Sequence, residues 1–184
     1  DRFVGFVLDG VASIPEADKI RGYARFLDDH TLQVDDHTRI RFTRAVIATG
    51  SSPGVPPMFR GLGSRALVND DIFAWDNLPQ SVAVFGPGVI GLELGQALHR
   101  LGVKVLMFGK DHLVGPFTDP EIRAYATRAF QDEFYLDADA AIRALEPVED
   151  GVAVHYEDRA GMTRRDCVEY VVVATGRTPN VRNL

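Results

Sequence analysis

The stretch Val82–Gly95, VAVFGPGVIGLELG, constrains the fold more than any other part of this chain. Strand-forming residues run into glycines at 86, 88 and 91, and apolar residues at helical spacing follow at 90, 94, 97, 98 and 101. A strand that turns straight into a helix, with a second strand at Lys104–Phe108, predicts a parallel pair joined by a crossover helix. The glycines then have separate tasks. Gly86 makes the tight exit from the strand, Gly88 leaves backbone free to approach a pyrophosphate, and Gly91 lets the helix pack close to the strand. Val89 and Ile90 open the helix, where free N–H groups and a partial positive charge face the phosphates. The segment reads as a dinucleotide-binding turn in the context such a turn requires. The alternative is a glycine-rich turn that holds no ligand.

A unit that binds NAD usually carries an acid about 20 residues further on, at the end of the second strand, to hold the ribose hydroxyls. Here that strand reads VKVLMFGKD and ends on Gly109, followed by Lys110 and Asp111. Lys110 favours a 2′-phosphate and hence NADP. Asp111 reaching back to the ribose favours NAD, and a flexible glycine end at Gly109 makes either reachable. A third alternative is a pair of solvated turn charges.

The rest of the chain supports a layered α/β organisation. RFVGFVLDGVAS has the apolar spacing of the last turns of a helix. The β-prone runs IRGYARFL, TLQV, RIRF and RAVIATG follow, with Asp28-Asp29 and Asp35-Asp36 as turn residues, and predict an antiparallel meander ending in a buried strand. SSPGVPPMFRGLG is a Pro/Gly-rich connector. Beyond the glycine turn, Gly102 suits a helix C-terminal cap, and Asp119-Pro120 suits the start of a helix through about Phe130. Further β-prone runs cover 142–145, 152–156 and 167–174, which predicts a parallel sheet with helices and a smaller antiparallel sheet. One string recurs: VIATGSSPGV (46–55) and VVATGRTPNV (172–181) match at six of ten positions. Each is an apolar run ending in Ala-Thr-Gly with proline three residues later, as if two domains of similar design each closed this way.

Composition narrows the functional classes. A net charge of -6 and the lack of a Lys/Arg-rich run argue against nucleic acid. Uncharged stretches such as Ser81–Leu92 fall short of the roughly 20 apolar residues of a membrane span, and no signal peptide opens the chain. The single cysteine, Cys167, excludes an internal disulfide and fits a reducing, cytoplasmic compartment. Histidines 30, 37, 99, 112 and 155 lack metal-ligand spacing, so no metal site is expected. The ends, Asp1 and TPNVRNL, read as those of a fragment.

IATGSSP, FGPGVIGLELGQALHRLGVKV and VVATGRTPN, in this order and spacing, resemble the class I pyridine nucleotide–disulfide oxidoreductases, of which dihydrolipoamide dehydrogenase is the nearest type. The resemblance implies a Rossmann-like, three-layer ββα FAD/NAD(P)-binding fold with part of a second, FAD-type domain. Residues 1–65 would be a partial FAD domain, 66–176 the NAD(P) domain and 177–184 the return into the FAD domain. It also implies that Glu93 pairs with a lysine near flavin and nicotinamide, and that Val89 replaces an aromatic gate over the nicotinamide. Ala174 and Gly176 would lie by the nicotinamide end, and Arg177 would reach toward FAD. Ala24, Thr49 and Gly50 would line FAD. The expected cofactors are NAD or NADP, with FAD in a homodimeric full-length protein. The family's N-terminal FAD glycine turn, its C-x-x-x-x-C pair and its dimerisation domain do not occur in this sequence, so the chain alone is expected to be inactive on a disulfide.

The function this implies is the nucleotide-binding central part of a flavin enzyme that passes hydride from NAD(P)H to FAD and on to a disulfide. Two alternatives stand beside it. One is a flavoprotein without the cysteine pair, such as an NADH oxidase, ferredoxin reductase or transhydrogenase. The other is a non-catalytic nucleotide-binding module.

Overall fold

A computed structural model describes residues 2–184, which fall into two compact units: residues up to 50 together with 179–184, and residues 51–178. The smaller unit begins with helix α1 (Arg2–Ala12), as its apolar spacing predicts, although every side chain on it is at least partly exposed. Strands β1 (Ala24–Asp28), β2 (Thr31–Val34) and β3 (Thr38–Arg41) form the expected antiparallel meander. Its aspartates act as turn residues. The Asp28 carboxylate accepts from His30 N–H at 2.8 Å, and Asp35 takes the left-handed conformation at φ 47°. Phe26 and Phe42 meet edge to face at 5.7 Å.

The buried strand predicted over 44–50 is absent. Among the described residues no strand pairs with this segment, and Val46 is 92% exposed. A parallel core strand needs hydrogen-bonding neighbours, and apolar composition alone does not create them.

The larger unit opens with β4 (Ser51–Pro53), a 3-10 segment (Pro57–Arg65) kinked at Gly63, β5 (Ala66–Leu67) and the short helix α2 (Asn69–Ile72). The predicted strand–helix–strand follows as β6 (Ser81–Phe85), α3 (Val89–Arg100) and β7 (Lys104–Phe108). Then come α4 (Pro120–Glu133), β8 (Tyr135–Asp137), β9 (Ala141–Val148), β10 (Gly151–Glu157), β11 (Thr163–Val168), β12 (Tyr170–Val173) and β13 (Arg177–Pro179). Strands β5-β12-β6-β7-β8 form one parallel sheet, β11-β10-β9 an antiparallel one, and β13 pairs with β4.

Strand periodicity explains the three layers. Ala83, Phe85, Leu106, Phe108, Val171 and Val173 face the antiparallel sheet, where Val152, Val154, Tyr156 and Val168 meet them, with Phe59 and Leu62 from the 3-10 segment. Their alternates Val82, Val84, Val105, Met107 and Val172 face Leu92 and Leu98 of α3. Both faces are covered, which is why these strands read as continuous apolar runs. The run 167–174, apparently one strand in the sequence, is two strands. The chain changes sheets at Glu169, whose N–H donates to Ser81 O at 3.1 Å and whose carboxylate accepts from Gln80 N–H at 3.0 Å.

The helix ends follow their residues. Gly102 (φ 94°) closes α3: Gly102 N–H bonds His99 O at 2.9 Å and Val103 N–H bonds Leu98 O at 3.0 Å, a Schellman ending. Asp119 caps α4 by accepting from Glu121 and Ile122 N–H at 2.9 and 3.0 Å. Glu133 joins the two helices by accepting from Gln96 and Arg100. The Arg100 guanidinium holds its carboxyl below the usual carboxylate range. Among the described residues, no helix is long and apolar enough to cross a membrane.

Candidate functional site: the glycine turn at the sheet's switch point

Chain order and sheet order together locate the crevice. From β6 the chain moves through α3 to β7 on one side, while β12 lies on the other. The sheet therefore changes direction between β6 and β12, and their carboxyl ends, Phe85 and Val173, are paired neighbours. Open α/β sheets bind ligands outside the strand ends at such a point.

The three glycines meet there, each with a different geometric reason. Gly86 has φ 102°, and a Cβ on it would strike the Ala174 carbonyl oxygen. A Cβ on Gly91 would strike the Gly86 carbonyl oxygen, with Ala174 Cβ at 3.3 Å. Gly88 differs: its φ is an ordinary -76° and, among the described residues, nothing lies within 4 Å of a Cβ built on it. Packing requires glycine at 86 and 91, whereas at 88 it leaves open space against the N-terminus of α3. No side chain caps that helix, and its first ladder bond is Leu92 N–H to Gly88 O, so the N–H groups of Val89, Ile90 and Gly91 have no intrahelical acceptor. Ala174, whose N–H bonds Phe85 O at 2.8 Å, forms the floor beneath both packed glycines. An open cradle with unsatisfied donors and no acid in the first helical turn fits a pyrophosphate.

The strand end at Gly109 is closed by packing. A Cβ there would lie 2.8 Å from both Ala138 O and Pro87 Cγ, and Gly109 bonds Asp137 O and Ala140 N–H through its own backbone. The glycine read as a flexible end is thus a close-packing glycine with no room for an acid. Lys110 is exposed. Asp111 and His112 are both left-handed (φ 58° and 54°), and Asp139 holds them: its carboxylate accepts from Asp111 N–H at 2.9 Å and lies 3.3 Å from His112 Nε2. Nothing in the sequence pairs Asp139 with this bend, because the contact spans 28 residues.

The remaining candidates separate. Val89 and Glu93 are exposed on α3, and no ion pair engages Glu93 among the described residues. Gly176 takes φ 126° and its carbonyl accepts from Gly54 N–H at 2.9 Å. Arg177 turns its guanidinium onto Ser51 O and Oγ (2.5 and 2.8 Å) and Asn69 Oδ1 (3.2 Å). In the smaller unit, Ala24 and Thr49 line one cavity with Gly22, Tyr23, Asn180 and Arg182. The backbone oxygens of Thr49 and Gly50 accept from Asn180 there.

Comparison with known proteins agrees with this geometry. The model of the pyridine nucleotide-disulphide oxidoreductase family matches residues 9–184. The chain is 30% identical to a dihydrolipoyl dehydrogenase of Vibrio parahaemolyticus and 31% identical to one of Haemophilus influenzae, in each case over 94% of this chain and 37% of the relative. It is 34% identical to a soluble pyridine nucleotide transhydrogenase of Photorhabdus laumondii, over 89% of this chain and 35% of that protein. The chain therefore spans little more than a third of the length of these relatives. A flavoprotein disulfide reductase of Escherichia coli induced by HOCl superposes with a TM-score of 0.76 over 98% of this chain and 42% of its own, at 24% identity, a likeness of fold. By its glycine turn, its three-layer unit and these matches, the chain belongs to the pyridine nucleotide-disulphide oxidoreductase family.

Proposed function

We propose that this chain is the nucleotide-binding central part of a flavin-dependent disulfide oxidoreductase of the dihydrolipoamide dehydrogenase type. The observation that carries the reading is the contrast within the turn: glycines 86 and 91 are packed, glycine 88 faces open space, and the free donors of α3 border that space. In this reading residues 66–176 form the NAD(P) domain, while 1–65 and 177–184 are pieces of an FAD domain. The longer protein is a homodimer, and the piece alone turns over no disulfide.

The bound nicotinamide would supply a hydride, and FAD would accept it and pass the electrons to a disulfide. The chain's own residues bind and orient. The N–H groups of Val89, Ile90 and Gly91 would hold the pyrophosphate at the helix N-terminus. Gly176 would leave backbone and Ala174 only a methyl group beside the nicotinamide end, and Val89 would cover less of that pocket than an aromatic ring. Glu93, exposed one turn into α3, would meet a lysine of the longer protein. In the smaller unit, the cavity with Ala24 and Thr49, beside Gly50, would take part of FAD.

Gly88→Val tests the reading. Its backbone suits valine and its Cβ meets nothing, so the variant should fold as wild type does. Its affinity for NADH and NADPH should fall at least tenfold, about 1.4 kcal/mol, in calorimetric titration. Unchanged affinity in the folded variant would remove the phosphates from this turn. A second reading, a transhydrogenase-type flavoprotein without a cysteine pair, is favoured by the 34% relative. In the longer protein, reduction of a second nucleotide but not of a lipoamide-type disulfide would select it.

A further inference from the structure

The proposed nucleotide site has an unusual strand end. The ribose-directed acid of such sites belongs at position 109, yet the Ala138 carbonyl and the Pro87 ring fill the volume its Cβ would need. The same loop that blocks the position, residues 137–140 leaving β8, brings a carboxylate to its rim. Ala140 N–H bonds Gly109 O at 3.1 Å, which fixes this loop against the end of β7, and the Asp139 carboxylate accepts from Asp111 N–H, two residues past Gly109.

The other acids nearby are engaged elsewhere. Asp137 is buried and accepts from Asp139 N–H at 3.1 Å. Glu157 pairs with Arg143 and Asp158 with Arg164, both at 2.7 Å. Asp111 lies in the bend itself and is exposed; among the described residues Asp139 is the acid that engages the bend from another element, and it holds two consecutive non-glycine residues in the left-handed region, a conformation that persists only where surroundings enforce it. Lys110, the cation suited to a 2′-phosphate, begins that bend and has no ion-pair partner among the described residues.

We propose that Asp139 is the residue that sets nucleotide choice. From the exit of β8 it supplies the negative charge that the end of β7 has no room for, and it fixes the Lys110–His112 bend, so that a free 2′-hydroxyl is favoured over a 2′-phosphate. This rests on the nucleotide site proposed above. Asp139 acts as a positioning and charge-setting residue, and its removal should change the preference between the nucleotides rather than weaken both alike.

The test is calorimetric titration of NADH and NADPH into this chain and its Asp139→Ala and Asp139→Asn variants, with thermal unfolding to verify each fold. In Asp139→Ala the affinity ratio should move toward NADPH by about fivefold, the scale of one partly exposed charge. Asp139→Asn keeps an oxygen for Asp111 N–H and loses the charge, so it should move the ratio the same way by less. Should the alanine variant not fold, the asparagine variant decides alone. A ratio unchanged within about twofold, or equal loss for both nucleotides, overturns the role of Asp139 while leaving the site intact. Failure of wild type to bind either nucleotide overturns the site and this inference together.

Discussion

Residues 46–50 and 172–176 carry almost the same letters, yet Val172 is fully buried while the equivalent Val46 is 92% exposed. The difference lies in their neighbours. Val172 sits in β12 between Leu67 of β5 and Val84 of β6, with a helix layer over its side chain. Val46 has no strand partner among the described residues. Apolar and β-branched residues fit a half-built sheet, but the hydrogen bonds that make a strand come from the edges they dock against. The two copies agree only after the Ala-Thr-Gly, where β4 and β13 pair.

The strongest way to break this comparison is to place a charge at the two equivalent valines. Val172→Asp would bury a carboxylate with no partner and should cost about 4 kcal/mol or more, unfolding the larger unit. Val46→Asp should stay within about 0.5 kcal/mol of wild type. Denaturant titration of both variants measures the contrast, and comparable losses would mean that 46–50 is docked in solution.

A smaller effect sharpens the same distinction inside the glycine turn. Gly91→Ala would press a methyl group against the Gly86 carbonyl and should destabilise by about 1–3 kcal/mol, whereas Gly88→Ala, which meets nothing and only exchanges the N-cap residue of α3, should cost about 0.5 kcal/mol. Thermal unfolding of the two variants separates a glycine kept for packing from one kept for space. Equal shifts would contradict the division of roles.

Much of the larger unit was legible because its signals are local. The alternation in β6 and β7, the glycine spacing, the Gly102 ending of α3 and the Asp119-Pro120 start of α4 are all decided by residues close in sequence. Three features depend on distant contacts and were not legible. The corner at Glu169 is set by Gln80 and Ser81, so the run 167–174 looked like a single strand. Gly109 looked like a flexible end because nothing local reveals that Ala138 and Pro87 crowd it. The resemblance points Arg177 toward a cofactor, and in this structure its guanidinium bonds Ser51 and Asn69, 126 and 108 residues away. Its place beside FAD remains part of the proposal for the longer protein. The candidate site was legible in its glycine turn and illegible at the strand end around Gly109, because the turn is local in sequence and the strand end is built from two strands and their loops.

The central claim is that the glycine turn, rather than the cavity of the smaller unit, receives the pyridine nucleotide. Titration of NADH into the isotopically labelled chain, followed through its backbone amide resonances, tests it most directly. The amides of Gly88, Val89, Ile90 and Gly91 should shift first and furthest, with those of Lys110–His112 following. Shifts confined to Gly22–Ala24, Thr49 and Asn180, with the turn unmoved, would contradict the claim.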